Sequence, residues 1–444
     1  MKSYYLGLDL GTTTVSLCLL PPDGSAPVTA SLPHGAALPG KDAARQDPEK
    51  LLSAARALLA RARESFPGEI LSIGVTGQMH GILYLDGAGK ALSPLYSWQD
   101  QTALLPLPGG KTALEEIREK TGLSLSPGYG LATHYALSRL GLIPREARSL
   151  LTAGDYLVTR LAGLSRPLLH PSNAQSLGFF DPGKNGFSGF EALPDFRGEL
   201  LPAVSPEERP AGAFRGIPVS FAVGDNQAAF FGSLREEDGL LLNLGTGGQL
   251  SALVPGPSAP EGLEARPYFF GKTLASYASL SGGRAYAMLE KFVRALREKD
   301  EPQYAFLNRL AEKGLREETV LPVDTRFAGT RRDPALRGAI TGIGEENFTP
   351  GAMAAGFLRG MTRELFDAAP LFGRSFSTLA ATGNAVRKNP ALREVIGETF
   401  SLSPRLPRHT EEASFGAALF GAVSAGLLSE CAARDLIRYE GEDA

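Results

Sequence analysis

Several things are scarce in this chain, and each scarcity excludes a class of protein. Among 444 residues there are two cysteines, Cys18 and Cys431. They are too few and too far apart for a disulfide framework or a zinc pattern, and they suit a reducing compartment. Histidine occurs five times. His134 and His170 have no second ligand at helical or loop spacing, so both read as structural. No charge sign dominates: 45 Lys and Arg face 48 Asp and Glu, a net charge of −3. That balance provides no basic surface for nucleic acid and no acidic tail. No apolar run reaches about 18 residues, so no membrane span is expected. The N-terminus carries one lysine and an apolar run broken by Asp9, which is too short and polar for a signal peptide. The expectation is a cytoplasmic protein with neither nucleic-acid nor membrane partners. What is present is a globular composition, 43% hydrophobic and 21% charged, at a length that predicts two domains.

The informative stretch is Leu6-Gly-Leu-Asp9-Leu-Gly11-Thr12-Thr13-Thr14. Two strand-length apolar runs flank it, so it reads as a tight β-hairpin with a polar tip. Gly11 lets the backbone come close to a ligand. Consecutive amides and hydroxyls at such a tip can cradle phosphate, and a carboxylate at the strand end can hold the magnesium that accompanies a nucleotide. Alone, this is compatible with an ordinary hairpin. A second copy, Leu242-Asn243-Leu-Gly245-Thr246-Gly247-Gly248, repeats Leu-Gly-Thr in register, also between apolar runs. Repetition of one unit in the two halves predicts two similar domains. Asn243 stands where the first copy has Asp9, so only the first copy offers a charged metal ligand. The charged stretch at residues 235–238 marks the boundary, giving domains 1–235 and 236–444.

Other loops carry unlike polar groups. Asp47-Pro48 reads as a helix cap followed by proline at the first helical position. A strand over residues 70–75 ends in Gly77-Gln78-Met79-His80-Gly81. Trp98, the only tryptophan, is two residues from Asp100. A ring beside a carboxylate can form core or can wall a sugar site. Gly109-Gly110-Lys111-Thr112 imitates the end of a P-loop, but Leu105 occupies the required glycine and no strand precedes it; a helix start at Thr112 is the better reading. Tyr129 sits in a glycine-flanked turn, and residues 150–161 read as a helix. A strand over residues 219–223 runs into Gly224-Asp225-Asn226-Gln227. Asp225 is either a helix cap or a carboxylate aimed into a cleft at the C-terminal edge of a sheet. Gly283 precedes an amphipathic helix. Gly383-Asn384 follows a short strand, a junction that brings amides toward a ligand, and Asn389 could read an adenine edge.

In order and spacing, Asp9-Leu-Gly-Thr-Thr, Gly77-Gln-Met-His-Gly81, Trp98-Gln-Asp100, Gly224-Asp-Asn-Gln227, Asn243-Leu-Gly-Thr-Gly-Gly248 and Gly383-Asn384 resemble the FGGY carbohydrate kinases. So does the connector at residues 321–344, with Phe327, Arg331, Arg337 and Gly338. The resemblance covers nearly the whole chain. Within the family, Tyr129, the Trp98–Asp100 triplet and Arg387-Lys388-Asn389 look closest to the sedoheptulokinase branch, with xylulokinases the near alternative. Gln101-Thr102 replaces the arginine the family usually carries there, a departure on the sugar side.

The resemblance implies an α/β fold with two RNase-H-like domains of the actin, hexokinase and Hsp70 ATPase type, a cleft between them, and ATP and Mg²⁺ in the cleft. Asp225 would be the general base for transfer of the γ-phosphoryl group to a ketose hydroxyl. Asp9, with Asp225, would hold Mg²⁺. Gly11, Thr12, Thr13 and Thr14 would take phosphates, with Gly245, Thr246 and Gly247 opposite. Gly283, Gly383, Asn384 and Asn389 would hold adenosine. Gln78, Met79, His80, Trp98, Asp100, Tyr129 and Asn226 would line the sugar side. The protein would act as a monomer or homodimer. A non-catalytic ATPase-fold protein would need neither the Gln-Met-His-Gly loop nor the Trp98–Asp100 loop. A sugar-binding pseudokinase would not need both Asp9 and Asp225.

Overall fold

Both polar-tipped hairpins grow into six-stranded sheets of the same design. The structure is a computed structural model that describes residues 2–39, 44–330 and 333–442. In the first half the strands are β1 (Ser3–Leu10), β2 (Thr14–Leu20), β3 (Val28–Pro33), β4 (Glu69–Gly77), β5 (Pro210–Phe214) and β6 (Ile217–Gly224), in the spatial order β5-β6-β4-β1-β2-β3. In the second half they are β7 (Leu240–Leu244), β8 (Gly248–Val254), β9 (Glu264–Pro267), β10 (Thr273–Ser279), β11 (Leu379–Thr382) and β12 (Pro404–Arg405), in the order β9-β10-β8-β7-β11-β12. The pairings repeat. An antiparallel hairpin extends into a third antiparallel strand, β3 or β10. The first hairpin strand then pairs in parallel with β4 or β11, which pairs in parallel with β6 or β12. This is the two-domain actin/hexokinase-like α/β fold. The duplication reaches individual residues: Asp9 pairs with Thr76 and Asn243 with Thr382, and a glycine follows each threonine, Gly77 and Gly383.

Sequence chemistry accounts for these elements. The strands β1 and β2 are nearly continuous apolar runs, as expected of strands covered on both faces. On one side lies α1 (Pro48–Ser65). Asp47 caps it by accepting from the amides of Glu49 and Lys50 at 2.9 and 3.3 Å. Its Leu51, Leu52, Ala55, Leu58 and Leu59 are buried at helical spacing. Thr112 and Glu115 form a reciprocal capping box at the helix Ala113–Thr121. The helix expected over residues 150–161 begins only at Ala153, because a short strand, Ser149–Leu151, precedes the cap at Thr152. In the 321–344 connector, Val323–Asp324 pairs with Ala339–Ile340; Arg331 lies outside the described residues. No helix among the described residues is long and apolar enough to cross a membrane.

The other face of the first sheet is covered from far along the chain. The helix α7 (Glu412–Ser424) packs on β1, β4 and the helix α3 (Asp225–Ser233). The approach is backbone to backbone. A Cβ on Gly7 would lie 1.8 Å from the Ser414 carbonyl oxygen, and one on Gly74 only 1.7 Å from that of Ala417. In return, a Cβ on Gly416 would lie 1.8 Å from the Ala228 oxygen. Around this contact a buried cluster joins Tyr5, Cys18 and Val223 of the first sheet to Leu241, Leu253, Phe269 and Ala380 of the second half. Gly74→Ala is therefore expected to lower the unfolding free energy by about 3 kcal/mol, the upper end for an over-packed core. Gly87→Ala should be near neutral, because a Cβ there meets only Arg148 at 3.8 Å. Denaturant melts of the two variants check the contrast.

Candidate active site

Because β1, β4 and β6 run parallel, their C-terminal ends share one edge. Asp9 sits beside Thr76, and Thr76 beside Val223, whose carbonyl accepts from the Thr76 hydroxyl at 2.8 Å. Asp225 comes two residues after Val223. It is the first residue of α3, and Gly224 takes the cap position. The Asp225 carboxylate accepts from the Asn226 amide at 2.7 Å and from Asn226 Nδ2 at 3.1 Å. Burial pushes Asp225 up to about 6, against the Asn226 bonds and the charge of Arg266. Asp9 is pushed up to about 7, first by burial and then by the carboxylates of Asp225 and Glu411. A nearby cation would favour the ionised form of both acids.

The tip of the first hairpin is held by groups from four segments. The Gly11 amide donates to the Thr14 carbonyl at 2.9 Å. The Thr12 carbonyl accepts from His34 Nε2 at 3.0 Å and Gln46 Nε2 at 2.9 Å. His34 Nδ1 accepts from the Ala36 amide, and burial lowers the ring's pKa, which fits a neutral imidazole. Gln78 was expected on the sugar side, but its amide donates to Gln46 Oε1 at 2.8 Å and reaches the Gly11 carbonyl at 3.4 Å. The Trp98 indole donates to Thr12 Oγ1 at 3.1 Å. Thr13 remains exposed at the tip.

At the second hairpin, Gly283 and Arg284 open the helix α4 (Gly282–Leu296), and their amides donate to the carbonyls of Gly245 and Thr246, both at 2.9 Å. Gly282 presses so close that a Cβ would lie 2.3 Å from the Gly247 carbonyl. Gly383, with φ of 96°, lies against the Leu244 carbonyl, which a Cβ would meet at 2.3 Å. Asn384 begins the next helical turn. Asn389 is buried. Its oxygen caps a helix by accepting from the Leu392 amide at 3.2 Å, and its Nδ2 donates to Asn308 at 3.1 Å. The structure thus engages Asn389 in helix capping.

On the remaining wall, Met79 is buried with its sulfur 3.8 Å from Asn226 Nδ2. His80 is left-handed at φ 72°, and its ring lies 4.7 Å from that of Tyr129. The Tyr129 turn joins the Trp98 loop at Gly128, where a Cβ would lie 1.8 Å from the Trp98 carbonyl. Trp98 is 46% exposed. Asp100 is buried. Its Oδ1 accepts from the Thr102 amide at 2.8 Å, and its Oδ2 faces Arg45 Nε at 3.3 Å. Sequence reasoning singled out neither Arg45 nor His34, Gln46, Glu411, Arg266 and Ser176. Each acts on the site from a distant segment, with no local pattern to mark it. The faintest signal was at Arg45 and Gln46, two long polar residues just before the Asp47 cap.

An orphaned buried oxygen tests whether these residues suit a metal. Asp9 Oδ1 has no hydrogen-bond partner among the described residues, which fits a cation ligand. No group of three or more acidic, histidine or cysteine side chains among the described residues could hold a metal. Magnesium is an ion that needs only one or two carboxylates, with water and substrate phosphates completing its shell.

Residues 4–188 match the N-terminal domain of the FGGY family of carbohydrate kinases, and residues 252–425 match its C-terminal domain. Sedoheptulokinase of Homo sapiens is 29% identical over 93% of this chain and 96% of its own length. Xylulose kinase of Escherichia coli (strain K12) is 27% identical over 57% of this chain and 54% of that protein. Among solved structures, xylulose kinase from Rhodospirillum rubrum superimposes with a TM-score of 0.82 at 20% identity, covering 99% of this chain and 93% of that one.

Behind the site, the carboxylate of Asp155 accepts from Thr152 Oγ1 at 2.6 Å and Asn173 Nδ2 at 3.3 Å. Burial nevertheless pushes it up to about 7. A raised carboxyl pKa means that the folded chain prefers the protonated form. This contribution to stability is full below the unfolded pKa of about 4 and is lost as pH rises through 7. Asp155→Asn is expected to raise the thermal midpoint at pH 8, with the gain shrinking toward pH 4. Melting curves across that range check it.

Proposed function

The chain belongs to the FGGY family of carbohydrate kinases and is an ATP-dependent carbohydrate kinase; from that premise we propose that it phosphorylates a ketose, sedoheptulose foremost, with Asp225 as the general base. The observation that carries the mechanism is the shared edge: Asp225 and Asp9 stand at the C-terminal ends of β6 and β1, two parallel strands with β4 between them, beside a hairpin tip braced from several sides. Support for the sugar is the similarity to human sedoheptulokinase over nearly the full length of both chains. A pentulose acceptor is the second reading, favoured by the Gln78-Met79-His80-Gly81 loop that xylulokinases share.

In this reading, residues 1–235 bring the acceptor site and the base, and residues 236–444 bring the adenosine side. An Asp225 oxygen takes the proton of the attacking hydroxyl. The hydroxyl oxygen bonds to the γ-phosphorus as the bond to the β–γ bridging oxygen breaks, and ADP leaves. Such transfer needs placement and charge neutralisation more than covalent help. The tip residues Gly11, Thr12, Thr13 and Thr14 hold phosphate oxygens, and Gly245, Thr246 and Gly247 flank them. Gly283, Gly383, Asn384 and Asn389 surround adenosine; the capping role of Asn389 leaves it a packing wall more than a base reader. Asp9, with Asp225, holds Mg²⁺, which when bound offsets the phosphate charge. Met79, His80, Trp98, Tyr129 and Asn226 line the sugar, Gln78 steadies the phosphate hairpin behind them, and Asp100 works with Arg45.

Asp225→Asn is expected to retain ATP binding and to lose about 10²–10⁴ in kcat; unchanged turnover would remove the assignment of the base. Asp100→Ala should raise the sugar KM far more than the ATP KM. ADP release measured over a panel of heptuloses, hexuloses and pentuloses decides the acceptor, and a pentulose preferred over sedoheptulose selects the second reading.

A further inference from the structure

The seven-residue helix Pro171–Leu177 packs beside β6 and carries two fully buried serines one turn apart, a spacing that puts them on one face. Ser172 Oγ accepts from the amide of Gly224 at 3.1 Å, the residue before Asp225. Ser176 Oγ accepts from the amide of His80 at 3.1 Å and donates to the Asn173 carbonyl at 2.7 Å. One short helix therefore braces both the strand end that bears Asp225 and the left-handed turn at His80. Histidine visits that backbone region more often than most residues, yet it stays there only when its surroundings impose it. In this turn His80 Nδ1 lies 2.7 Å from the carbonyl oxygen of Ser176. A carbonyl can only accept, so Nδ1 carries the hydrogen. In the neutral ring the lone pair is then at Nε2.

We propose that Ser176 is a positioning residue acting through His80: it holds the left-handed turn and the Nδ1–H tautomer, so that His80 Nε2 accepts a hydrogen bond from one hydroxyl of the acceptor sugar. The proposal rests on reading His80 as part of the acceptor site, and it adds a direction to that contact. The sugar hydroxyl donates. A deoxyfluoro analogue can accept weakly but cannot donate, so at the hydroxyl His80 reads it fares no better than the deoxy analogue.

The test is steady-state kinetics of the full chain on its ketose and on the mono-deoxy and mono-deoxyfluoro analogues. At one position, both analogues are expected to lose kcat/KM by a similar factor, about a hundredfold or more. His80→Ala should lose a comparable factor on the parent sugar and nothing further on those two analogues. Ser176→Ala should lose about tenfold on the parent, nothing on the two analogues, and leave the ATP KM unchanged. A deoxyfluoro sugar accepted where the deoxy sugar is rejected overturns the proposed direction. Equal losses for Ser176→Ala on every substrate, or a raised ATP KM, overturn its role as a positioning residue. His80→Ala without effect on any sugar removes the acceptor-site reading itself, and the proposal with it. If Ser176→Ala does not fold, the analogue series on the unaltered enzyme and on His80→Ala still decides the direction.

Discussion

The contact on which the rest of the structure depends is the one between α7 and the first sheet. Gly7 and Gly74 on the sheet, and Gly421 on the helix, have no side chain to hold the two backbones apart, and Gly416 does the same for the contact with α3. Helix and sheet thus meet at distances that any Cβ would prevent. The helix arrives directly after the chain has completed the second sheet at β12, so this contact ties the second half to the underside of the strands that carry Asp9 and Asp225. Glu411, just before the helix, lies close enough to Asp9 to raise its pKa. The packing of a distant helix and the charge of the site are thereby linked.

That charge is held in tension. Burial disfavours the ionised forms of Asp9 and Asp225, and at Asp225 the charge of Arg266, on β9, opposes it. A protein selected for stability alone would not keep two buried carboxyl groups at one sheet edge, one of them with an oxygen that bonds to nothing. Sites that bind charged ligands commonly retain such local cost. The arrangement leaves two acids at one edge with little positive charge opposing them.

Much of this was legible in the sequence because the signals were local. A hairpin with a polar tip, repeated in register, predicts its own strands, and the doubled sheet follows from the doubled motif. The Asp47 cap and the leucines after it specify α1 for the same reason. What was hidden is nonlocal. Gln78 reads as a loop residue facing a ligand, yet its amide goes to Gln46, and nothing near either glutamine announces the other. Asp100 reads as a bare carboxylate until Arg45 reaches it. Asn389 reads as a ligand contact, whereas the proline after it makes it a helix cap, a signal that was present and outweighed by the motif around it. The late start of the helix at Ala153 follows from the three-residue strand before it, too short to register as a separate apolar run.

The doubled hairpin is not symmetric. Asp9 and Asn243 hold equivalent places beside Thr76 and Thr382, yet four residues separate Leu10 from its partner Val15 and three separate Leu244 from Gly248. The first tip is longer and carries a carboxylate at its base; the second is shorter, richer in glycine and neutral at that place. On the proposed kinase reading the two ends of the cleft are therefore not interchangeable, and an elongated polyanion with its counter-ion at one end would load in one direction only.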